Sequence, residues 1–436
     1  MLYQSTRDAA HRVGLGEAIA RGLAPDGGLY VPTELPAIPL EAFDGLGDVR
    51  AVAKVLLRPF AAGDRLAESL PAIIDDAFTF PVPVVDVPAS AGRLSVLELF
   101  HGPTAAFKDF GARFLAATLE RLPRAQDPRR LTILVATSGD TGGAVAAAFH
   151  RRSWVDVVVL YPQGLVSPRQ QKQLACWGAN VRTLAVAGSF DDCQRMVKDA
   201  FVDPGLASAL RLSSANSINV GRLLPQMAYY AVSSLELYRR DGRRPNYVVP
   251  SGNLGNVAAC LWARRVGLPI GDVLLATNAN ATVPEYLHTG EWRPRPSLAT
   301  LASAMDVGNP SNMERLRWLF GSVDDLRAQF DAVPVADEQI RETIRRDHRE
   351  LAQTWCPHTA TAAHVYRQLP PERKKERWVI VATAHPAKFD EVVEPLISAS
   401  VPVPAALAEL LALPSLQRQI APTLEALRGV LMETRA

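Results

Sequence analysis

Lys108 is the residue whose position most directly suggests chemistry. The surrounding segment predicts a helix over 104–122, with Pro103 suited to its first turn. At about 100° per residue, one face of the helix is an apolar stripe formed by Ala112, Leu115, Leu119 and Leu122. A separate charged stripe is formed by Asp109, Arg113 and Glu120. Lys108 lies at the head of the apolar stripe, away from the other charges.

Two interpretations of Lys108 follow. Its long side chain can pass over apolar surface and reach solvent, which is the usual arrangement for a single lysine. Alternatively, the amine is buried for a purpose. A free lysine has a pKa of about 10.4 and is a poor nucleophile at neutral pH, but burial lowers that pKa. The segment alone favours the solvent-exposed alternative.

A glycine-rich turn follows a buried strand in "NYVVPSGNLGNVAA". The turn consists of Gly252, Asn253, Leu254, Gly255 and Asn256. Its backbone N–H groups can converge at a helix N-terminus, which favours an anion. The spacing matches neither the nucleotide-binding P-loop nor the dinucleotide fingerprint, and no lysine follows. A phosphate monoester therefore fits best, although a simple strand–helix turn remains an alternative.

A similar turn occurs in "ATSGDTGGA". Ser138, Gly139, Asp140 and Thr141 lie at a predicted helix start, where hydroxyl and N–H groups could bind a carboxylate. The negative charge of Asp140 would repel an anion bound at this turn, so its carboxylate is expected to point away from the turn. The alternative is that Asp140 only caps the helix.

Two further segments carry polar groups near predicted element ends. Ser217, Asn219 and Arg222 lie where a loop becomes a helix, and an arginine with such donors suits a second phosphate or carboxylate. A solvated arginine is the usual alternative. Thr383 ends a buried strand, where backbone groups could satisfy it. His358 and His364 are six residues apart, which does not suit a metal, and no metal site is predicted.

These residues can form one site only if the fold brings the ends of the strands that carry them close together. Short buried strands alternate with helices from about residue 86 onward, which predicts an α/β fold with largely parallel sheets. Ligands in such folds bind at the carboxyl ends of strands. Helices are expected at 49–57 and 64–77, and Ser189 should cap another. We predict an N-terminal, mostly helical domain over 1–85, a catalytic region over 86–400 and a helical extension over 401–436.

Composition narrows the classes of function. The 436 residues suggest two or three domains. The 47 basic and 45 acidic residues nearly balance, which argues against nucleic acid or a membrane as the main partner. Four scattered cysteines fit a reduced cytoplasm. The N-terminus lacks an apolar signal region and no segment is apolar enough to span a membrane, so a cytoplasmic protein is expected.

Several motifs occur in one order over nearly the whole chain: "YQSTRD", "GLAPDGGLYVP", "FHGPTAAFKDFG", "ATSGDTGGA", "SANSINVGRLLPQ", "PSGNLGN" and "ATAHPAKF". In this order they resemble the threonine synthase family, whose members use pyridoxal 5′-phosphate (PLP). The family commonly has a bulkier residue at Ala105 and Phe at Leu254, which we interpret as packing changes. The resemblance implies fold type II: two open, twisted, largely parallel sheets flanked by helices, the smaller subdomain covering roughly 110–215.

The resemblance also implies roles for particular residues. Lys108 would hold PLP as a Schiff base and act as the catalytic base. Contacts to PLP would come from Gly252, Asn253, Leu254, Gly255, Asn256 and Thr383. Substrate contacts would come from Thr104, Ser138, Gly139, Asp140, Thr141, Ser217, Asn219 and Arg222. A threonine at the pyridine nitrogen cannot supply the carboxylate that would keep that nitrogen protonated, which should disfavour transamination.

The expected reaction converts O-phospho-L-homoserine and water to L-threonine and phosphate, the last step of threonine biosynthesis. Three alternatives remain: a dehydratase or phospho-lyase of the same fold, a catalytically silent relative that binds PLP or a phosphate metabolite, and a nucleotide-binding α/β protein without PLP. The sequence leaves the oligomeric state open, with a monomer as one option.

Overall fold

The structure is a computed structural model that describes residues 1–88, 91–122 and 129–433. The N-terminal part contains short strands and helices: β1 (Tyr3–Ser5), β2 (Arg12–Val13), α1 (Leu15–Arg21), β3 (Tyr30–Pro32), α2 (Val49–Leu57) and α3 (Leu70–Ala77). The strands form an antiparallel sheet in the order β2-β1-β3, which the sequence did not predict. The predicted helix over 49–57 coincides with α2, and the one over 64–77 forms only from Leu70.

Strands and helices then alternate through the first half of the catalytic region. In chain order they are β4 (Val84–Asp86), β5 (Leu94–Glu98), α4 (Lys108–Arg121), β6 (Leu131–Ala136), α5 (Asp140–Phe149), β7 (Val155–Pro162), α6 (Pro168–Ala175), β8 (Val181–Val186), α7 (Phe190–Val202), α8 (Pro204–Ala209) and β9 (Arg211–Ser214). Ser189 caps α7 by accepting a hydrogen bond from the Asp192 N–H, as predicted.

The second half returns to the first sheet. Its elements are α9 (Val220–Leu223), α10 (Met227–Asp241), β10 (Asn246–Pro250), α11 (Gly255–Arg265), β11 (Val273–Thr277), α12 (Thr282–Thr289), α13 (Met313–Phe320), α14 (Val323–Arg327), β12 (Asp331–Pro334), α15 (Asp337–Leu351), α16 (Pro357–Arg367), β13 (Trp378–Ala382) and α17 (Asp390–Ile397). The C-terminal segment contains α18 (Ala405–Ala412), β14 (Gln417–Ile420) and α19 (Leu424–Met432).

Two largely parallel sheets form the catalytic region, which confirms the predicted fold class. The larger has the order β12-β11-β10-β13-β5-β4, in which only the edge pair β4–β5 is antiparallel among the described strands. The second has the order β14-β8-β7-β6-β9 and its described pairs are parallel. Residues 401–436 are predicted to be a helical extension. The structure corrects this, because β14 lies in that segment and pairs with β8.

Runs such as "LTILVA" in β6 are buried along their whole length because helices cover both faces of a parallel sheet. Apolar side chains of the N-terminal part pack into the same core as those of α4, α10 and α11. No helix in the described part of the chain combines the length and apolarity needed to cross a membrane.

Candidate active site

The loop before Lys108 differs from the predicted helix. Helix α4 begins at Lys108 itself, so Pro103 and Thr104 lie in a turn outside it. The Asp109 carboxylate holds this turn by accepting hydrogen bonds from the Thr104 N–H at 2.9 Å and hydroxyl at 2.7 Å. Ala105 has a positive φ of 53°, which a helix does not permit. The helical wheel placed Asp109 on a charged stripe, but its side chain is buried.

The same loop brings Lys108 next to Thr383. The Phe107 N–H donates to the Thr383 carbonyl at 2.8 Å, and the His385 N–H donates to the Ala105 carbonyl at 3.0 Å. These bonds join the start of α4 to the carboxyl end of β13, so two residues that are 275 positions apart in sequence meet at one sheet edge.

The Lys108 amine is in an environment that disfavours its charge. The side chain is half-buried. Desolvation lowers the pKa of Lys108 to about 8, opposed by Asp140 and reinforced by the positive charges of Arg222 and Lys388. A substantial neutral fraction therefore exists near pH 8, which a nucleophile or base requires.

Lys388 is a site residue that the sequence interpretation missed. Its side chain is fully buried, and its Nζ lies 2.7 Å from Asp140 Oδ1 and 2.8 Å from the Thr104 carbonyl oxygen. The carboxylate of Asp140 thus points away from the turn's N–H groups, as expected, and Lys388 depresses the Asp140 pKa against the effect of desolvation. The signal was present in "AHPAKFD": a lysine in an apolar stretch after a buried strand.

The glycine turn at 252–256 has the features of an anion cradle. Leu254 adopts a left-handed φ of 61° and precedes the first turn of α11. Within the described chain, the backbone N–H groups of 252–256 donate to no protein acceptor. At Gly252 a Cβ would lie 2.6 Å from the Met305 Cα, so only glycine allows this approach.

Asn256 adds a side-chain donor to this cradle. Its Oδ1 accepts hydrogen bonds from the hydroxyls of Tyr229 at 2.6 Å and Tyr230 at 2.7 Å. Its buried Nδ2 has no partner among the described residues. Because a buried donor without a partner is costly, this atom is the kind of group that a bound phosphate oxygen satisfies.

Ser217 and Arg222 lie at the edge of the same region. The Asn253 Nδ2 donates to Ser217 Oγ at 2.5 Å, which joins the cradle to the 217–222 loop. Arg222 is buried against α4, where a Cβ on Gly111 would lie 2.7 Å from its Nε. One nitrogen of Arg222 donates to the Ala215 carbonyl, while Nε has no partner in the described chain.

Asn219 differs from its neighbours, although the sequence grouped them. Its Oδ1 accepts from the Gly221 N–H at 2.9 Å and so caps α9, and its Nδ2 donates to the Ile19 carbonyl at 2.9 Å. Both halves of the amide are therefore used within the protein. This geometry fits attachment of α9 to the N-terminal part better than contact with a substrate.

The 138–141 turn is built around Thr137. The Thr137 hydroxyl oxygen accepts hydrogen bonds from the N–H groups of Gly139 at 3.0 Å and Gly142 at 2.9 Å. The side chains of Ser138 and Thr141 stay half-buried at the start of α5. These two hydroxyls and the unpaired N–H groups beside them are the donors available to a carboxylate.

The histidines do not suggest a metal site. His358 Nε2 accepts a hydrogen bond from the Ala304 N–H at 3.0 Å, and desolvation lowers the His358 pKa to about 4. Within the described ranges, no three His, Cys, Asp or Glu side chains are grouped so that they could hold a metal ion.

The arrangement combines one lysine amine of lowered pKa with a phosphate cradle at the carboxyl ends of neighbouring strands. An aldehyde cofactor that carries a phosphate fits this site, because the amine suits the aldehyde and the unpaired cradle N–H groups and Asn256 Nδ2 suit the phosphate. The fold and the site together define a PLP-dependent enzyme of fold type II. The family model "Pyridoxal-phosphate dependent enzyme" matches residues 78–384. Models for the threonine synthase N-terminus and C-terminus match 2–78 and 359–431. The chain belongs to the threonine synthase family.

Individual relatives agree. The threonine synthase of Escherichia coli strain K12 is 41% identical over 435 residues, with 99% of each chain covered. A solved structure of threonine synthase from Escherichia coli has a TM-score of 0.89 and 40% identity over 99% of both chains. The PLP-bound threonine synthase of Brucella melitensis has a TM-score of 0.90 and 34% identity, covering 99% of this chain and 98% of that one.

Proposed function

We propose that this enzyme converts O-phospho-L-homoserine and water to L-threonine and inorganic phosphate. The observation that carries the proposal is a pair of positions whose hydrogen-bond donors have no partner among the described residues: the backbone N–H groups and Asn256 Nδ2 of the 252–256 cradle, and Arg222 Nε of the 217–222 loop. A substrate that carries its own phosphate needs a second anion site in addition to the one for the cofactor.

Lys108 has two tasks in this proposal. It anchors PLP, which when bound supplies an electron sink for negative charge at the substrate α-carbon. With the substrate bound, the Lys108 Nζ would accept the α-proton and later return it. The lowered pKa favours this because a base that works near neutral pH needs a neutral amine. Lys108 is also our candidate for the shuttle of the β-proton.

The polar groups of Thr104 and Asn219 are used within the protein, and several of the other predicted residues orient the substrate or the cofactor. Arg222 and Ser217 bind the substrate phosphate, and the positive charge of the Arg222 guanidinium strengthens that interaction. Ser138, Thr141 and the N–H groups beside Gly139 would receive the α-carboxylate, and the Thr383 hydroxyl would hold PLP at its ring nitrogen. Phosphate would leave from the γ-carbon, the proton taken from the β-carbon would be returned at the γ-carbon to form the methyl group, water would add at the β-carbon, and reprotonation of the α-carbon would complete threonine.

The domain plan supports this chemistry. We propose that residues 1–85 form a structural domain beside the site, that 86–400 carry it, and that 401–436 extend the smaller subdomain. The near balance of basic and acidic residues favours a small-molecule substrate over nucleic acid. We also propose a cytoplasmic location and leave a monomer as one option for the assembly.

A product assay tests the proposal. Purified, PLP-loaded protein should release inorganic phosphate from O-phospho-L-homoserine with an equal amount of threonine, and Lys108→Ala should abolish both. Ammonia and a 2-keto acid from threonine or serine, without phosphate release, would instead indicate a dehydratase. Wild-type protein that stays colourless after incubation with PLP would contradict both PLP-dependent hypotheses. Wild-type protein that turns yellow but shows no turnover would indicate a catalytically silent relative.

A further inference from the structure

Lys388 is a buried charge for which the resemblance assigned no role. It follows β13 of the larger sheet, whereas its partner Asp140 begins α5 beside the second sheet. The ion pair therefore spans the boundary between the two sheets. Its second acceptor, the Thr104 carbonyl, lies in the loop that leads into Lys108.

Further hydrogen bonds fix both ends of this bridge. Gln170 Nε2 donates to Asp140 Oδ1 at 3.0 Å, and Gln173 Nε2 donates to the Thr104 carbonyl at 3.0 Å. Thr104 in turn is held by Asp109. The bridge thus ties together the loop before Lys108, the 138–141 turn and the segment after Thr383.

Stability alone is a weak explanation for such a pair. A buried ion pair can often be replaced by well-packed apolar residues without loss of stability, because desolvation of both charges offsets their attraction. A pair placed among three loops of one site is better explained by what it does there. Asp140 alone would place an uncompensated negative charge beside the proposed carboxylate position, and Lys388 neutralises it.

The two members of the pair also act on Lys108 with opposite signs. Asp140 raises the pKa of Lys108, whereas Lys388 and Arg222 lower it, all against a larger lowering by desolvation. His358, on α16, faces the same group of charges and is held neutral by burial. Removing either member of the pair should therefore displace the Lys108 titration in a direction that identifies which charge was lost.

We propose that Lys388 is a positioning residue: with Asp140 it forms a charge-balanced bridge that holds the Lys108 loop against the 138–141 turn and makes that turn neutral enough to bind a carboxylate. The inference rests on the proposed roles of Lys108 and of this turn. It assigns no covalent step to Lys388.

Three variants of the PLP-loaded, full-length enzyme test the bridge: Lys388→Met, Asp140→Asn and the double variant. The first readout is the pH midpoint of the absorbance change of protein-bound PLP, which reports protonation at Lys108. We expect the midpoint to rise by about 1 unit or more in Lys388→Met, to fall by a similar amount in Asp140→Asn, and to return toward wild type in the double variant.

The second readout is the division between KM and kcat. Lys388→Met should raise KM for O-phospho-L-homoserine about 10-fold or more, since an unpaired Asp140 repels the carboxylate, and the double variant should recover part of that loss. Lys54→Met, which removes an exposed pair with Asp75, is the control and should shift neither readout.

Opposite midpoint shifts would support the bridge, because a purely structural defect moves both single variants in the same direction. Shifts of one sign, or no shift in variants that load PLP, would overturn it. If Lys388→Met fails to fold, the test compares Asp140→Asn with the double variant. A double variant that folds and has the same midpoint as Asp140→Asn, instead of one nearer wild type, also overturns the proposal. A wild type that forms no link with PLP would contradict the proposed function instead.

Discussion

Arg222 and Lys108 lie close enough for their charges to interact, but they should have separable functions. The Arg222 guanidinium has a free Nε and packs on Gly111 of α4, while desolvation lowers the Arg222 pKa to about 10. Arg222 forms no ion pair with the described residues, and the nearby Asp109 carboxylate only partly offsets its burial, so its charge is costly to maintain. An incoming substrate phosphate would supply the missing negative charge.

Arg222→Ala should therefore affect the substrate much more than the cofactor. We expect KM for O-phospho-L-homoserine to rise about 10- to 100-fold, as for loss of a hydrogen bond to a charged group, with a far smaller change in PLP affinity. Steady-state kinetics and PLP titration measure the two effects.

Arg113→Ala is the matched control for Arg222→Ala, because Arg113 also binds backbone carbonyls, those of Ala77 and Asp76, but joins α4 to the end of α3. It should change neither KM nor PLP affinity appreciably. If Arg222→Ala weakens PLP and substrate binding equally, Arg222 has a structural role.

At the scale of elements, the turn that begins α5 depends on two adjacent glycines with different surroundings. A Cβ on Gly142 would lie 2.5 Å from the Thr137 Cγ2 and 2.7 Å from a Leu174 methyl. A Cβ on Gly143 would meet nothing closer than 3.6 Å, at Gln173. The close packing at Gly142 places the start of α5 against Thr137, which follows β6, and against α6.

Gly142→Ala and Gly143→Ala should consequently have different effects on stability. We expect Gly142→Ala to destabilise the protein by about 1–3 kcal/mol through overpacking. Gly143→Ala should be neutral or stabilising by up to about 1 kcal/mol, because alanine favours a helix over glycine. Urea unfolding of the two variants compares them directly, and equal losses would contradict this packing.

Sequence patterns predicted elements with strong periodicity or clear caps, such as α2 and α7. They did not predict the start of α4, because the turn before it depends on Asp109 reaching back to Thr104 and on contact with Thr383, far away in sequence. β14 was missed because "QRQI" has no apolar alternation and becomes a strand only by pairing with β8. Lys388 was overlooked because its partner, Asp140, lies 248 residues earlier.

At the scale of the whole molecule, Arg315 joins the N-terminal part to the site. This fully buried side chain donates to the carbonyls of Tyr30 at 3.1 Å, Ser217 at 3.2 Å and Ile218 at 2.6 Å. Desolvation lowers the pKa of Arg315 to about 9. One cation thereby connects β3, the proposed phosphate loop and α13.

Arg315→Met should loosen that junction because it leaves several buried carbonyl groups without donors. We expect the free energy of unfolding to fall by about 2 kcal/mol or more, measured by urea denaturation, together with a higher KM for O-phospho-L-homoserine as the Ser217 loop loses its support. Arg349→Met, at an exposed helical position, should stay within about 0.5 kcal/mol of wild type. A loss no larger than that of Arg349→Met would contradict the role of Arg315.

We propose that Lys108, and not the more deeply buried Lys388, is the amine that holds PLP. Borohydride reduction of the PLP-loaded protein followed by proteolysis and mass spectrometry tests it directly, since reduction fixes the cofactor to the lysine that carries it. We predict the added mass on the peptide containing Lys108, with the Lys388 peptide unmodified. Cofactor mass on the Lys388 peptide, or on neither, would contradict the account.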